Sequence, residues 1–554
     1  MKKILTYFLA TLVLFGWTGC SEFLDINEDP NNPREAELAK LLPSVEVDIS
    51  GAIGMTTGGA SYYGSVYMHQ LVTREDNDYD FDGDQFGVTV PWEILYNRAL
   101  QDLEEMLATG TELEAWHYVG IGQILKGFTY SVLVDLYGDV PFTEANLGTD
   151  NLSPSYDDDQ SVYSGAFGLI DEGIANLERE SVLSPSGEDL FYDGDTELWI
   201  KFANTLKLKL YTQLKDVQDV SSAVETLLAG DLIEEGESFE MVHGESLAPD
   251  DRNPAYRQEY NGNPRYNISP FFYEIMSGLA TFYPATLNPY INIRDPRIPY
   301  YFYNQLGDGE DPENPCSYCY SYVDGNGNTV VQVPELEDTN FLSIYTFSFN
   351  IDPNEGFDQA SSQTITGLYP VGGAYDDGGG QTNSYDIGGA DVPQRILTYY
   401  ARKYLEAELY LTGVAEGDDR EAFEDAVRAS FEKVNEITAY EDGVPEIEAD
   451  AIDDYVVQVM SRYDAADDAG KLRHIITQKW IASFGYGVDP YTDYRRTGYP
   501  LLFDGNTDFL DITVRGREFP FSFPYPQESL DLNSSAPAQK QVTSPSARVF
   551  WDID

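Results

Sequence analysis

The sequence predicts a mostly α-helical fold, a tetratricopeptide-like α-solenoid of helix pairs with a long loop-rich insertion and a few short strands. First, apolar residues recur at helical spacing in successive paired segments. Second, the composition between about residues 217 and 390 shifts to Gly, Asn, Pro, Asp and Tyr. Third, 554 residues with 42% hydrophobic and 14% aromatic content supply a large core. We expect one domain over 34–554, with helical repeats mainly at 34–216 and 391–500.

Residues 1–19 have the layout of a secretory signal peptide. Lys2 and Lys3 give a positive start, residues 4–15 are almost wholly apolar, and small residues precede Cys20. The apolar run is shorter than the roughly 18 residues that a membrane span needs. Gly19 and Cys20 resemble a bacterial lipobox, in which the cysteine is lipidated and becomes the new N-terminus. The alternative is ordinary secretion with a free Cys20.

Residues 20–33 and the net charge predict how the protein is held at a membrane. The segment is rich in Pro, Asn and acidic residues, so we expect an extended, lipidated tether. The formal net charge of −62 leaves no basic patch for anionic head groups, which favours attachment through lipid. The same charge repels phosphate backbones and excludes nucleic acid as a partner. Solubility in salty surroundings explains most of the acidity.

Cysteine and histidine usage gives no metal site. Beyond Cys20 the chain has only Cys316 and Cys319, and a single C-x-x-C lacks the second ligand pair of a structural zinc site. The four histidines are scattered along the chain. In an exported protein, a local disulfide between the two cysteines is the better interpretation.

The first helix pair is predicted at Trp92–Leu107 and within the segment Thr111–Ala145, joined by a short Thr109–Gly110 connection. In the second helix apolar residues occupy both sides, which indicates burial. Gly138 fits a C-terminal cap, and Pro141 prevents the helix from continuing. The interior glycines 120, 122 and 127 weaken the helix, so we expect a neighbouring helix to approach closely there.

Further pairs follow the same pattern. In the second pair we expect Lys201, Lys207 and Lys209 to point mostly outward. In the third pair Pro393 suits a first helical turn and Asp419 suits an N-cap. The predicted helices are Ser161–Leu177 with Thr196–Leu214, Pro393–Leu411 with Asp419–Val434, and a later helix at Lys471–Phe484.

The insertion at about 217–390 has few clean helical or strand periods. Short strands such as Leu342–Phe349 are expected to form small hairpins. A run this long without regular structure, inside a helical chain, usually carries function or covers a large face. We therefore expect this segment either to carry function or to cover a large face of the protein.

Seven stretches, taken together and in order, resemble the SusD/RagB family of Bacteroidota outer-membrane lipoproteins. They include Leu-Tyr-Gly-Asp-Val-Pro-Phe-Thr-Glu-Ala, Leu-Trp-Ile-Lys-Phe-Ala-Asn-Thr-Leu-Lys and Asp-Pro-Arg-Ile. The matches span nearly the whole mature chain, at residues 20–33, 136–145, 198–207, 295–298, 478–485, 493–500 and 519–534.

This resemblance implies a location, a partner and a cargo. Members of the family are lipid-anchored proteins exposed on the outer membrane, and Ser21-Glu22 is similar to their acidic export signal. They sit as lids over a SusC-like TonB-dependent transporter and deliver nutrient to it. Most take oligosaccharides or polysaccharides, while a RagB-type branch takes peptides. The helical repeats are expected to pack on the transporter and the loop-rich face to hold ligand.

The candidate ligand contacts are positions where aromatic and hydrogen-bonding residues mix without helical phasing. A sugar presents an apolar C–H face and a hydroxyl edge, so its site needs aromatic planes together with Asn, Asp or Arg groups. Trp92, Tyr137, Trp199 and Trp480 are interpreted as core. The predicted ligand contacts are Tyr62, Tyr63, Arg74, Asp76, Asn77, Tyr79, Tyr256, Tyr260, Asn261, Arg265 and Tyr266.

The stretch Asp78–Gly83 matches the first half of an EF-hand loop, D-x-D-x-D-G. The twelfth position is Thr89, where an EF-hand needs a bidentate Glu. Two interpretations stay open, a calcium loop of another kind and a solvated acidic turn.

Two other classes of function compete with that of a binding protein. A glycoside hydrolase needs paired carboxylates about 5 to 10 Å apart, which occur by chance among 95 acidic residues. No G-x-S-x-G, H-E-x-x-H or P-loop supports an enzyme. A helical scaffold without ligand does not account for the Tyr- and Asn-rich insertion. We therefore expect a non-enzymatic, cofactor-free nutrient-binding protein, with glycan preferred over peptide.

Overall fold

The computed structural model describes residues 38–56, 58–73, 79, 88–262, 264, 266–281, 283–307, 321–323, 329–331, 340–343, 363–504 and 518–553. Cys20, Cys316, Cys319 and most of the Asp78–Gly83 stretch lie outside these residues, so the predictions made for them stay predictions. Within the described residues, no helix combines the length and the apolar character that crossing a membrane requires.

The described residues are mostly helical, which confirms the predicted fold class. A π-helical turn, Leu95–Ala99, joins α3 to α4. The helices are α1 Leu38–Ile53, α2 Ala60–Tyr67, α3 Thr89–Ile94, α4 Leu100–Glu112, α5 Trp116–Tyr137, α6 Asp159–Leu177, α7 Thr196–Leu214, α8 Ser221–Leu228, α9 Pro254–Glu259, α10 Pro270–Ser277, α11 Ile298–Tyr301, α12 Leu368–Val371, α13 Tyr399–Leu411, α14 Asp419–Ile437, α15 Ala449–Asp464, α16 Asp468–Ala482, α17 Val488–Thr497 and α18 Gln527–Leu532.

The strands are short and pair antiparallel, two at a time. Their bounds are β1 Leu71–Thr73, β2 Phe239–Met241, β3 Tyr266–Ile268, β4 Phe302–Tyr303, β5 Ser321–Val323, β6 Thr329–Val331, β7 Ile365–Thr366 and β8 Gln394–Leu397. The pairs are β1 with β3, β2 with β8, β4 with β7 and β5 with β6.

Consecutive helices pack against each other along two runs, α4 to α7 and α13 to α16. Helix α13 contacts both α7 and α16, so it joins the two runs into one body. Trp199 on α7 and Trp480 on α16 are both buried, as predicted for core residues. Trp92 and Tyr137 are buried as well.

Helices α5 and α6 approach closely where their glycines face each other. A Cβ placed on Gly120 would lie 2.8 Å from the carbonyl oxygen of Gly173, and one on Gly173 would lie 2.7 Å from that of Gly120. A Cβ on Gly127 would lie 2.8 Å from the carbonyl oxygen of Ala166. The predicted close approach of a neighbouring helix is confirmed, because any side chain here would force the backbones apart.

Helix ends follow local chemistry. Asp158, Asp195 and Asp418 each cap a helix by accepting backbone N–H groups of its first turn. Gly138 ends α5 with a φ of +71°, as its cap role predicts. The N-cap of α14 is Asp418 rather than Asp419, a shift of one residue.

Two predictions about helices are wrong. The Thr109–Gly110 connection lies inside α4, which runs on to Glu112. Residues 394–397 are not helical, because they pair with β2 as strand β8, and α13 begins only after the Thr398 cap. The loop-rich insertion also holds helices, of which α8, α9 and α10 are the longest.

Lys209 does not point outward. It is buried on α7 and forms an ion pair with the buried Asp489 of α17. Nearby, Arg496 forms ion pairs with Glu408 and Asp493. The acidic and basic residues of the Asp493–Pro500 stretch are therefore internal ion-pair partners, which fix α17 on α7 and α13.

The C-terminal segment 518–553 returns to the end of α5. The Phe523 N–H donates to the Leu136 carbonyl oxygen at 2.7 Å. Trp551 donates its indole N–H to Asp135 at 3.1 Å, across 416 positions of sequence. Arg495 Nη2 donates to the Asp135 carbonyl oxygen at 2.6 Å. The last residues of the chain therefore complete the surroundings of one of its first helices.

Candidate functional site

The loop-rich face is built from four backbone segments that meet beside α2. Strand β1 pairs with β3, and the Ile268 N–H of β3 also donates to the Thr364 carbonyl oxygen at 3.2 Å. The Thr364 N–H in turn donates to the Leu342 carbonyl oxygen at 2.8 Å. This ladder holds distant parts of the insertion on one face of the helical body.

Tyr62 and Tyr266, both predicted as ligand contacts, stack on each other at the inner side of this face. Their ring centroids are 4.3 Å apart at an interplanar angle of 20°. The Tyr62 hydroxyl donates to Glu259 Oε1 at 2.7 Å. Both rings are buried, so in this conformation the pair fixes α2 against β3 and α9.

Tyr256 and Tyr260 are also buried. Helix α9 begins at the Asn253 cap with Pro254 in its first turn, which places both rings on one side. The Tyr256 hydroxyl donates to the Ile387 carbonyl oxygen at 2.9 Å, and burial raises the pKa of Tyr256 to about 12. The Tyr260 hydroxyl donates to the Thr366 carbonyl oxygen at 2.8 Å. These tyrosines stay protonated and bond to the protein itself.

A second aromatic cluster surrounds Tyr67 on the next side of α2. Tyr63 is half-buried and meets Phe523 edge to face at 6.2 Å. The Tyr79 hydroxyl lies 2.7 Å from Nε2 of His69. Burial lowers the pKa of His69 to about 3, so the imidazole is neutral at physiological pH. Tyr79 and His69 therefore form a neutral buried pair.

The structure thus separates the predicted ligand contacts into three groups. Tyr62, Tyr256, Tyr260, Tyr266 and Tyr79 are buried and have protein partners; two of them lie on helices, where the sequence analysis expected none. Tyr63 is half-buried and Asn261 is exposed, just after α9. The remaining candidates, Arg74, Asp76, Asn77 and Arg265, lie outside the described residues. A ligand role for all eleven stays a prediction.

Amide side chains that the sequence analysis did not single out hold the insertion together. Asn304 Nδ2 donates to Asp376 Oδ2 at 2.7 Å, and its Oδ1 accepts from the Thr364 hydroxyl at 2.6 Å. Gln305 Nε2 donates to the Gln363 carbonyl oxygen at 2.8 Å. The only sequence signal was their position directly after the aromatic run Tyr300–Tyr303.

Three carboxylates, Asp139, Asp158 and Asp159, also come close together, with oxygen atoms within 4.8 Å of one another. Each accepts at least one backbone N–H: Asp139 from Asp159, Asp158 from Ser161, and Asp159 from Phe550. Burial raises the pKa of Asp159 to about 6. The arrangement is accounted for by capping of α6 and fixing of the C-terminal segment.

Comparison with known proteins gives one family and many related folds. The family described as "Starch-binding associating with outer membrane", a SusD-like family, matches residues 30–526. A search of curated protein sequences gives no match.

Three solved structures illustrate the similarity of fold. One called a chitin-binding protein is 20% identical, with a TM-score of 0.65, over 94% of this chain and 100% of that chain. A SusD/RagB family protein from Bacteroides thetaiotaomicron is 17% identical, with a TM-score of 0.65, over 94% and 99%. A chitin-binding SusD homolog from Flavobacterium johnsoniae is 18% identical, with a TM-score of 0.62, over 93% and 99%.

At these identities the solved structures establish the fold, and the match over residues 30–526 establishes the family. The resemblance found in the sequence motifs is confirmed. The chain belongs to the SusD-like family of proteins associated with the outer membrane.

Proposed function

We propose that this protein is a cell-surface lipoprotein that captures an oligosaccharide or polysaccharide and delivers it to a SusC-like TonB-dependent transporter in the outer membrane. The observation that carries the proposal is the match of residues 30–526 to a family described as starch-binding. Two structural neighbours called chitin-binding support a carbohydrate ligand. Cys20 is the proposed lipid site.

The proposed ligand surface is the outer side of the loop-rich face. Asn261 is exposed there and Tyr63 is half-buried. The segments that contain Arg74, Asp76, Asn77 and Arg265 connect to β1 and β3, which border this face. Amide groups bond sugar hydroxyls and the face of a tyrosine ring covers C–H groups, which is the chemistry of glycan capture.

Affinity electrophoresis of the mature chain tests this function. Gels containing starch, chitin derivatives or other neutral polysaccharides should retard the protein, and no reducing ends should appear on incubation. The variant Asn261→Ala should be retarded less, while Gln458→Ala, an exposed amide on α15, should match the wild type. Newly formed reducing ends would make the protein a hydrolase. Absence of retardation on every polysaccharide, with binding of peptides, would make it a peptide-binding subunit.

A further inference from the structure

A cleft of about 440 Å³ opens at the π-helical turn, and its lining includes none of the predicted ligand contacts. Its three walls are α3 with the π turn, the segment 141–154 that follows α5, and the segment 526–533 that contains α18. π-Helical turns occur frequently at functional sites. We call this recess the π-turn cleft.

The walls of the π-turn cleft are fixed to one another by hydrogen bonds. The Tyr96 hydroxyl donates to the Pro141 carbonyl oxygen at 2.7 Å, and Asn146 Nδ2 donates to the Tyr96 carbonyl oxygen at 2.9 Å. Asn533 Nδ2 donates to the Pro154 carbonyl oxygen at 2.8 Å. Because each wall is bonded to a neighbour, the cleft is preformed.

The rim of the π-turn cleft carries three exposed leucines. Leu147, Leu152 and Leu532 come from two different walls and are 51%, 77% and 73% exposed. A single exposed leucine needs no explanation, but several around one recess mark a surface that a partner covers. Beneath them, Trp92 and Tyr96 form the floor, with ring centroids 4.7 Å apart.

The charge of the lining has one sign. Glu93 and Glu528 are exposed carboxylates of the lining, and no Lys, Arg or His among the described residues lines the cleft. Asn97 and Gln101, exposed on the same wall, add amide donors and acceptors. An occupant that carries Lys or Arg therefore complements this lining.

The rim also favours a peptide over a sugar as the occupant. Trp92 is only 6% exposed and its ring is covered by Tyr96 and Tyr156, so no open aromatic face is available for stacking on a sugar ring. Exposed leucines gain more from aliphatic side chains than from hydroxyl-rich rings. Three such side chains left in water also favour an occupant that stays bound over a cargo that passes through.

We infer that the π-turn cleft binds an extended segment of a partner protein in which aliphatic side chains alternate with Lys or Arg. The aliphatic side chains pack between Leu147, Leu152 and Leu532, and the cations meet Glu93 and Glu528. The segment's backbone bonds to the amides of Asn97 and Gln101. This binding surface is independent of the proposed glycan function.

A fluorescein-labelled peptide of sequence GSLKLKSG, with versions that replace Lys by Glu or Leu by Ser, probes the cleft by fluorescence anisotropy on the mature chain. The Leu-Lys peptide should bind, and the other two should not. The double variant Glu93→Gln/Glu528→Gln and the variant Leu152→Gln should each weaken binding about fivefold or more. Val457→Gln, which removes a 66% exposed valine on α15, should leave it unchanged.

Equal binding of all three peptides, no binding up to about 1 mM, or no effect of the cleft variants would overturn the inference. Displacement of the peptide by a disaccharide would reassign the cleft to sugar. A photoreactive amino acid at position 152, in cells that produce the protein, should crosslink to one protein at a segment with aliphatic and basic residues. Crosslinks scattered as at position 457 would overturn the claim of a stable partner. Glycan retardation of the cleft variants, measured in parallel, reports on the proposed function separately.

Discussion

Glu46 and Asp189 place two carboxyl groups close together in the core, and they differ in the number of hydrogen-bond donors that they receive. Asp189 accepts N–H groups from Phe191, Tyr192 and Gly194 and from the Trp199 indole. Glu46 accepts a single N–H, from Leu190 at 2.9 Å. Burial, and then the neighbouring Asp189, raise the pKa of Glu46 well above its usual value. Glu46 therefore keeps its proton to a higher pH than an ordinary glutamate does.

This pair gives the protein a pH-dependent stability. The folded state binds the Glu46 proton more tightly than the unfolded state does, so the contribution is present at low pH and is lost as pH rises through the folded pKa. Above pH 5 the unfolding free energy of the wild type should fall as pH rises. In Glu46→Gln this slope should be smaller by up to about 1.4 kcal/mol per pH unit. Urea unfolding at several pH values measures this. A profile parallel to that of Glu93→Gln, an exposed control, would contradict it.

The glycine contact between α5 and α6 predicts opposite effects of two alanine substitutions. Gly120→Ala should destabilise the protein by about 1–3 kcal/mol, because its Cβ meets the Gly173 carbonyl oxygen. Gly168→Ala, on the outer face of α6 with nothing within 4 Å, should stabilise by up to about 1 kcal/mol through helix propensity. Thermal unfolding monitored by circular dichroism measures both. Equal changes in melting temperature for the two variants would mean that α5 and α6 separate easily.

The ion pair of Lys209 with Asp489 predicts a large loss when one partner is removed. Lys209→Met leaves a buried carboxylate without its cation and should cost about 3–5 kcal/mol. Lys207→Met, two residues away on the same helix, breaks a pair with the 60% exposed Asp171 and should cost less than about 1 kcal/mol. Adding Asp489→Leu to Lys209→Met should recover stability. Failure of that recovery in urea titrations would show that the pair is not the cause.

The proposed lipid anchor is tested through Cys20. Cys20→Ala removes the proposed lipidation site, so the protein should appear in the culture medium or periplasm with unchanged thermal unfolding. Fractionation followed by immunoblotting measures the distribution, with Cys316→Ala as the control that should stay in the outer membrane. Retention of the Cys20→Ala protein in the outer membrane would exclude anchoring through this residue.

The sequence predicted what local chemistry determines. Gly120 and Gly127 predicted a close helix contact, because a glycine inside a helix lowers its stability and a close contact compensates for that loss. Trp199 and Trp480 could be interpreted as core because large apolar side chains at helical spacing seldom face water. The sequence motifs predicted the family, since they extend over almost the whole chain.

What the sequence did not predict depends on distant partners. Residues 394–397 carry a helix-compatible pattern, but pairing with β2, more than 150 positions earlier, makes them a strand. A tyrosine such as Tyr62 has the same local sequence whether its hydroxyl meets a sugar or Glu259. The outward prediction for Lys209 failed for the same reason, because Asp489 is 280 positions away. The π turn at Leu95–Ala99 has no sequence signal of its own.

The return of residues 518–553 to the end of α5 bears on when the protein reaches its final state. Asp135 receives the hydrogen bond from Trp551 only after the chain has been extended by a further 416 positions. Contacts between residues so far apart in sequence form slowly, because the chain loses conformational entropy in closing the loop before the contact energy is gained. The end of α5 therefore lacks its contact with residues 518–553 until that segment has been synthesised. If residues 1–19 act as the proposed export signal, this late contact would leave the end of α5 incompletely packed while the chain crosses a secretion channel.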